Sequence, residues 1–328
     1  MIPLSVLDIA QVSSGATTAD ALAATTELAR HTERLGYRRF WLAEHHIRGY
    51  VCCSPPVLVA HVAAATTTIR VGSGGVMLPN HQPLVVAEQF GLLDALHPGR
   101  IDLGVGRAPG ADPVVARALR RGQRPPTDAE LTEDVDELLA YLSGAGPVPA
   151  TAAEGARPEV WLLGSGLESA RLAGRRGLPF GFAHHFSPES MGPALDAYRT
   201  SFRPSAVLDG PRVLLAVSAL CADDDGLARR LALPGALAFL QLRRGRPGPL
   251  PSPDEARAYP YTGADRRFVV ERFDAQVIGS PQAVRARIEE LLRRSGADEL
   301  MVVTGTHDPA DRVRSYELLA QALAPAAV

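Results

Sequence analysis

Five short clusters in this chain combine the residue types that could do chemistry. Glu44-His45-His46 sets a carboxylate beside two imidazoles. A chelate needs ligands that converge, but adjacent side chains in extended backbone point opposite ways, and no HExxH-type helical spacing is present. One histidine acting as an acid or base near neutral pH therefore fits better than a metal site, with a hydrogen-bonded loop histidine as the alternative. His184-His185 admits the same two readings. Gly164-Ser165-Gly166, followed by Glu168-Ser169, allows close backbone approach and opens a helix whose free N–H groups and positive dipole end suit a phosphate. An ordinary serine N-cap is the other reading. Arg107 directly follows an apolar run flanked by Gly104 and Gly106, and its fork also suits a phosphate; a solvated surface arginine is the alternative. The stretch from Gly104 to Gly110 imitates a dinucleotide fingerprint, but its third glycine is one position late. Asp112-Pro113 then follows in place of a clear helix, so dinucleotide binding is rejected here. Gly72-Ser73-Gly74-Gly75 puts three glycines into an otherwise apolar strand, which implies a bulge or a close ligand approach.

These clusters follow short apolar runs, and the runs alternate with helix-period stretches. Strands are expected at Leu4–Ile9, Arg39–Leu42, Ile69–Leu78, Ile101–Val105, Glu159–Leu163, Pro179–Ala183, Arg212–Cys221 and Glu299–Val303. Helices are expected at Asp20–Leu35, Pro56–Thr66, Pro83–Leu96, Asp128–Leu142, Ser165–Arg175, Pro188–Phe202, Asp224–Leu240, Pro281–Arg294 and Pro309–Ala324. Strands separated by helices must pair in parallel, since a parallel neighbour needs a crossover. Eight such units predict an α/β fold, a single (β/α)₈ TIM barrel over residues 1–328, with its function on the loops at the strands' carboxyl ends. A doubly wound open sheet is the rival. Two segments interrupt the alternation as insertions: 143–157 after the fourth strand and 244–280 after the seventh. The second is proline-rich between 245 and 265 and is positioned to act as a lid.

Composition excludes whole classes of mechanism. All 34 basic residues are arginine, so no Schiff-base lysine, P-loop lysine or lysine general base is available. With 328 residues, 46% of them hydrophobic, the chain can bury a large core. A net charge of −2 gives no electrostatic case for nucleic acid or an acidic membrane surface. No apolar run is long enough to span a membrane, and Met1 to Ser5 lacks the basic start of a secretory signal. Three cysteines, Cys52, Cys53 and Cys221, provide neither a disulfide framework nor a four-cysteine zinc site, so a cytoplasmic location is expected.

Taken together, the run Arg70–Pro83 (RVGSGGVMLPNHQP), the run Leu92–Arg100 (LLDALHPGR) and the five clusters resemble the bacterial luciferase-like flavin-dependent monooxygenase family over nearly the whole chain. The resemblance implies a (β/α)₈ barrel holding FMN at its carboxyl-end rim, with F420 as the alternative cofactor in one branch of the fold. Gly74 and Gly75 match the family's bulge beneath the flavin ring, where a non-prolyl cis peptide lies, and Ser73 beside them is expected to bind the cofactor with them. Arg107, Ser165, Gly166 and Ser169 match its phosphate-binding positions, and His45 matches its catalytic histidine. Gly106 replaces a reactive cysteine of the luciferase α subunit, so thiol-dependent behaviour does not carry over. Asp8, His46, His184 and His185 are expected around the substrate. The implied chemistry is monooxygenation of a small organic substrate by O₂ through a flavin C4a-hydroperoxide, by aldehyde or ketone oxidation or by epoxidation. Reduced FMN would come from a separate reductase. A homodimer is expected, and no metal, nucleic acid or membrane partner. An F420-dependent hydride transfer and a non-catalytic flavin-binding protein are the alternatives.

Overall fold

Strands such as Leu4–Asp8 (LSVLD) and Arg39–Leu42 (RFWL) are buried at every position, so both faces must be covered and both edges paired. The computed structural model describes residues 2–108 and 110–324; Met1, Pro109 and residues 325–328 lie outside them. The described residues form nine parallel strands: β1 (Leu4–Asp8), β2 (Arg39–Leu42), β3 (Arg70–Met77), β4 (Ile101–Gly106), β5 (Glu159–Gly164), β6 (Phe180–Ala183), β7 (Val213–Cys221), β8 (Val277–Gly279) and β9 (Glu299–Val303). Strands β1 to β7 pair in sequence order, and β9 joins β7 to β1, closing a barrel of eight. The eight ring strands are the eight expected segments, differing by one residue at some ends. The open-sheet alternative is thereby excluded.

Around the ring run α1 (Thr18–Arg34), α2 (Pro55–Ala65), α3 (Pro83–Leu96), α4 (Pro113–Leu119), α5 (Asp128–Ser143), α6 (Leu167–Arg175), α7 (Met191–Ser201), α8 (Asp225–Arg243), α9 (Pro253–Ala258), α10 (Gly263–Asp274), α11 (Pro281–Ser295) and α12 (Pro309–Ala322). Local signals set the ends: Thr17 with Asp20 and Thr127 with Glu130 form capping boxes before α1 and α5. Four elements depart from expectation. Asp112-Pro113 starts α4, with Asp112 accepting from the N–H groups of Val114 and Val115 and Pro113 in the first turn. Within 244–280, α9 and α10 each begin with a capping box, Ser252 with Glu255 and Thr262 with Asp265. Strand β8 pairs with Ala219–Cys221 at the carboxyl end of β7 and stays outside the ring. The 244–280 segment is thus mostly ordered structure, stacked over the seventh strand.

The barrel is sealed at one end only. Beneath its mid-layer, Arg39, Arg70 and Arg212 face Asp102, Glu159 and Glu299, and the more exposed Arg38 reaches Glu299 at 3.7 Å. Fully buried Arg39 reaches Asp102 at 2.8 Å, Glu159 at 2.9 Å and Glu299 at 2.9 Å. Burial alone would lower its pKa, but the three carboxylates hold it above the ordinary arginine value. Above this layer lie Leu7, Trp41, Trp161, Leu214 and Met301, with Trp41 donating to Asp102 at 2.8 Å and its ring 5.6 Å from that of Trp161. The strands' amino ends are therefore filled and their carboxyl ends left to enclose a cavity. Among the described residues, no helix is long and apolar enough to cross a membrane.

Candidate active site

The cavity above Trp41 measures about 1030 Å³. That lies at the top of the ~300–1,000 Å³ range of single small-molecule sites, so a cofactor and a substrate can share it. Its floor is glycine because nothing larger fits. A Cβ on Gly74 would stand 2.6 Å from Leu7 Cδ1, and one on Gly75 would stand 2.6 Å from the Gly104 carbonyl oxygen. The Gly74–Gly75 peptide is cis, and the register of β3 against β4 slips between Gly74 and Val76.

One end of the cavity suits an anion. Arg107 at the end of β4, Ser165 and Gly166 after β5, and Ser169 in the first turn of α6 all line it. Gly166, not Ser165, is the N-cap of α6 and offers no side-chain hydrogen bond, so the first-turn N–H groups have no side-chain cap. A Cβ on Gly164 would lie 2.5 Å from Ser169 Cβ, which keeps that serine close under the strand end. Arg107 pairs with Asp128 at 2.9 Å, both partners being well exposed, so the pair is weak and exchangeable. Arg107, Asp128 and Ser169 also border an adjoining pocket of about 250 Å³ that Arg175 lines as well. Sequence reading missed Arg175, which carries no distinguishing local signal.

Elsewhere in the cavity stand two imidazoles. The His45 backbone N–H donates to the Cys52 carbonyl at 2.9 Å, and its ring meets Tyr50 edge-on at 5.2 Å. Its Nδ1 is buried with no hydrogen-bond partner among the described residues. Burial lowers the His45 pKa to about 4 against an opposing pull from Glu44, so the ring is neutral at pH 7. Burial likewise takes His185 to about 4, and its Nδ1 faces the Ala216 carbonyl at 3.1 Å. Tyr50, Ser218, Phe239, Arg272 and Gln276 complete this region. Sequence reading singles out none of them, and for Arg272 the reason is that α10, which carries it, is not expected as a helix.

Of the expected site residues, His45, Gly74, Gly75, Arg107, Ser165, Gly166, Ser169 and His185 line this one cavity, and four do not. Period-2 alternation explains two of them. Leu7 faces inward, so Asp8 faces the helices, accepting from Thr25 Oγ1 at 2.7 Å and Arg312 at 3.0 Å. Gly74 faces inward, so Ser73 is fully buried outside the ring, donating to the Gly104 carbonyl at 2.9 Å. His46 turns away from His45 and bonds Glu44 Oε1 at 2.9 Å, while His184 is buried beside the inward His185 without reaching the cavity. Glu44 is a clamp. It accepts from Met77 N–H and His81 at 2.9 Å each, and although burial works against it, the His81 bond leaves its pKa below the ordinary value.

A parallel barrel plugged at its amino end and hollow at its carboxyl end is the architecture of an enzyme whose chemistry lies on the βα loops. The chain belongs to the luciferase-like monooxygenase family, whose model matches residues 2–299. A luciferase-like monooxygenase of Escherichia coli (strain K12) is 41% identical over 97% of this chain and 96% of its own length. Among solved structures, apo-MsnO8 is 38% identical with a TM-score of 0.88 over 98% of both chains. The oxygenating constituent of 3,6-diketocamphane monooxygenase from Pseudomonas putida, a type II Baeyer–Villiger monooxygenase in complex with FMN, shares the fold. It has 20% identity and a TM-score of 0.74 over 99% of this chain and 98% of that one. The family and barrel expected from sequence both hold.

Proposed function

We propose that this protein is an FMN-dependent monooxygenase that takes reduced FMN from a separate reductase and transfers one oxygen atom of O₂ to a small organic substrate, an aldehyde, ketone or alkene. The observation that carries the reading is one cavity holding an arginine-and-serine end, a glycine floor and a neutral histidine whose Nδ1 lacks a partner. A phosphorylated, flat aromatic group fits all three. Arg107, Ser169 and the α6 N–H groups would hold its phosphate, with Asp128 released from Arg107. Gly74 and Gly75 would admit its ring system against the floor. Reduced FMN, when bound, supplies the electrons that activate O₂. His45 would offer a hydrogen bond or accept a proton through its free nitrogens, while apolar walls such as Leu214, Met301 and Phe239 exclude water.

Titration calorimetry tests this directly: FMN is expected to bind, and riboflavin, lacking the phosphate, about ten-fold or more weakly. Arg107→Ala should weaken FMN by about 10- to 100-fold while leaving riboflavin unchanged. Binding of F420 in place of FMN, or an Arg107→Ala protein with native FMN affinity, would overturn the assignment.

The proposal extends to one domain, a cytoplasmic location, which suits the three free cysteines, and a homodimer. Helices α2 and α3 are in contact and expose Val57, Val85, Leu92 and Leu96. α2 carries no Asp, Glu or Arg, and such an apolar surface fits a subunit contact. Light scattering should give twice the monomer mass, reduced to the monomer by Leu92→Arg. A monomeric parent protein would contradict the dimer.

A further inference from the structure

Most buried or half-buried arginines in this molecule meet carboxylates. Arg39 has three, Arg312 reaches Asp8 at 3.0 Å, and Arg70 and Arg212 join the sealed layer. Arg100 and Arg120 bond backbone carbonyls instead, and so does Arg272, on α10. Its guanidinium lines the cavity, yet among the described residues no carboxylate pairs with it. What surrounds it is neutral. Nη1 donates to the His185 carbonyl at a long 3.4 Å. With the Gln276 amide turned to satisfy its neighbours, Gln276 Oε1 accepts from Arg272 Nη2 at 3.2 Å and from Ser218 at 3.0 Å. The guanidinium carbon lies 4.2 Å from the centre of the Phe239 ring. Burial lowers the arginine's pKa, the Tyr50 phenol opposing it, and the His185 ring is a further ionisable neighbour.

A cation removed from water without a counter-charge is disfavoured, and an incoming anion relieves that cost. The cavity as a whole leans the same way. Arg107, Arg120 and Arg272 line it against Asp128 alone, and Asp128 is already paired with Arg107. Arg272 and Arg107 share no hydrogen-bond partner among the described residues, and Arg272 is not among the groups assigned above to the cofactor phosphate.

We infer that the substrate carries a carboxylate and that Arg272 anchors it, with an apolar body lying along Leu220, Ala232, Ala238, Leu242 and Ile278. A single guanidinium among neutral groups answers one negative charge, and its planar fork matches the two oxygens of a carboxylate. Those aliphatic side chains offer the rest of the ligand an apolar wall. This identifies a substrate class for the site proposed above, and it rests on that cavity being the catalytic one.

Octanoate and octanamide, nearly isosteric and differing in charge, are suitable probes for calorimetry on the FMN-loaded protein. Octanoate should bind about ten-fold or more tightly than octanamide. Arg272→Gln should abolish that preference while leaving octanamide and FMN affinities within about two-fold, and Arg272→Lys should restore part of it. Equal binding of the two probes by the parent protein would overturn the inference without any variant being made. So would a preference that survives Arg272→Gln, or an Arg272→Gln protein that loses FMN and octanoate in parallel, which would make Arg272 a cofactor residue. Failure of the parent protein to bind FMN would strike the proposed function instead, and the two probes would still decide Arg272 on the FMN-free protein.

Discussion

Replacing Arg39 by methionine is expected to destabilise the protein by about 3–5 kcal/mol, the effect of removing one partner from a buried ion network. The side chain is fully buried, and its loss would leave Asp102, Glu159 and Glu299 to share Arg38, Arg70 and Arg212, all of which are at least partly exposed. Repulsion among three carboxylates under the barrel floor then adds to their desolvation. Trp161 also loses a packing partner, since the Arg39 guanidinium lies 5.0 Å from its ring centre and that of Arg212 at 4.9 Å on the same ring. The comparison that isolates burial is Arg107→Met, which removes an exposed pair with Asp128 and should change stability by less than about 1 kcal/mol. Urea denaturation followed by tryptophan fluorescence measures both, because Trp41 and Trp161 sit directly above the network. An Arg39→Met midpoint equal to that of Arg107→Met would show the network to be dispensable.

The strands were legible in the sequence because each is an apolar run bounded by turn residues, and parallel closure follows from eight of them alternating with helices. The site was legible where chemistry depends on backbone: the glycines at 74 and 75 are forced by Leu7, Trp41 and Gly104, neighbours close enough to reject a Cβ. It was less legible where a side chain's direction decides. Asp8 and Leu7 sit on one strand, and only the barrel's inside face separates the cavity residue from the one bound to Thr25. Ser73 and Gly74 divide in the same way. Arg272 was invisible for another reason. It lies on a helix started by the Thr262–Asp265 capping box, inside a segment whose prolines read as loop, and a single arginine among 34 announces nothing until its lack of a carboxylate is seen.

Substitution of His45 by alanine is expected to lower product formation by about 10²–10⁴-fold, the usual range for a positioned acid–base group, while FMN affinity stays close to native. The two effects separate because His45 stands apart from the phosphate end and shares no hydrogen bond with Arg107 or Ser169. In the variant, oxygen uptake should continue and hydrogen peroxide should replace the oxygenated product. Its pH dependence is equally specific. Burial sets the His45 pKa near 4, below the ordinary 6.5, so the folded protein binds fewer protons than the unfolded chain between those values. The stability this contributes is complete above pH 6.5 and is lost as the pH falls toward 4, with His185 adding in the same direction. Activity of the free enzyme should accordingly show no inflection near 6.5, because the imidazole is already neutral there. Native product yield from His45→Ala, or an inflection near 6.5 that disappears in that variant, would show that His45 does not act as a neutral imidazole in this cavity.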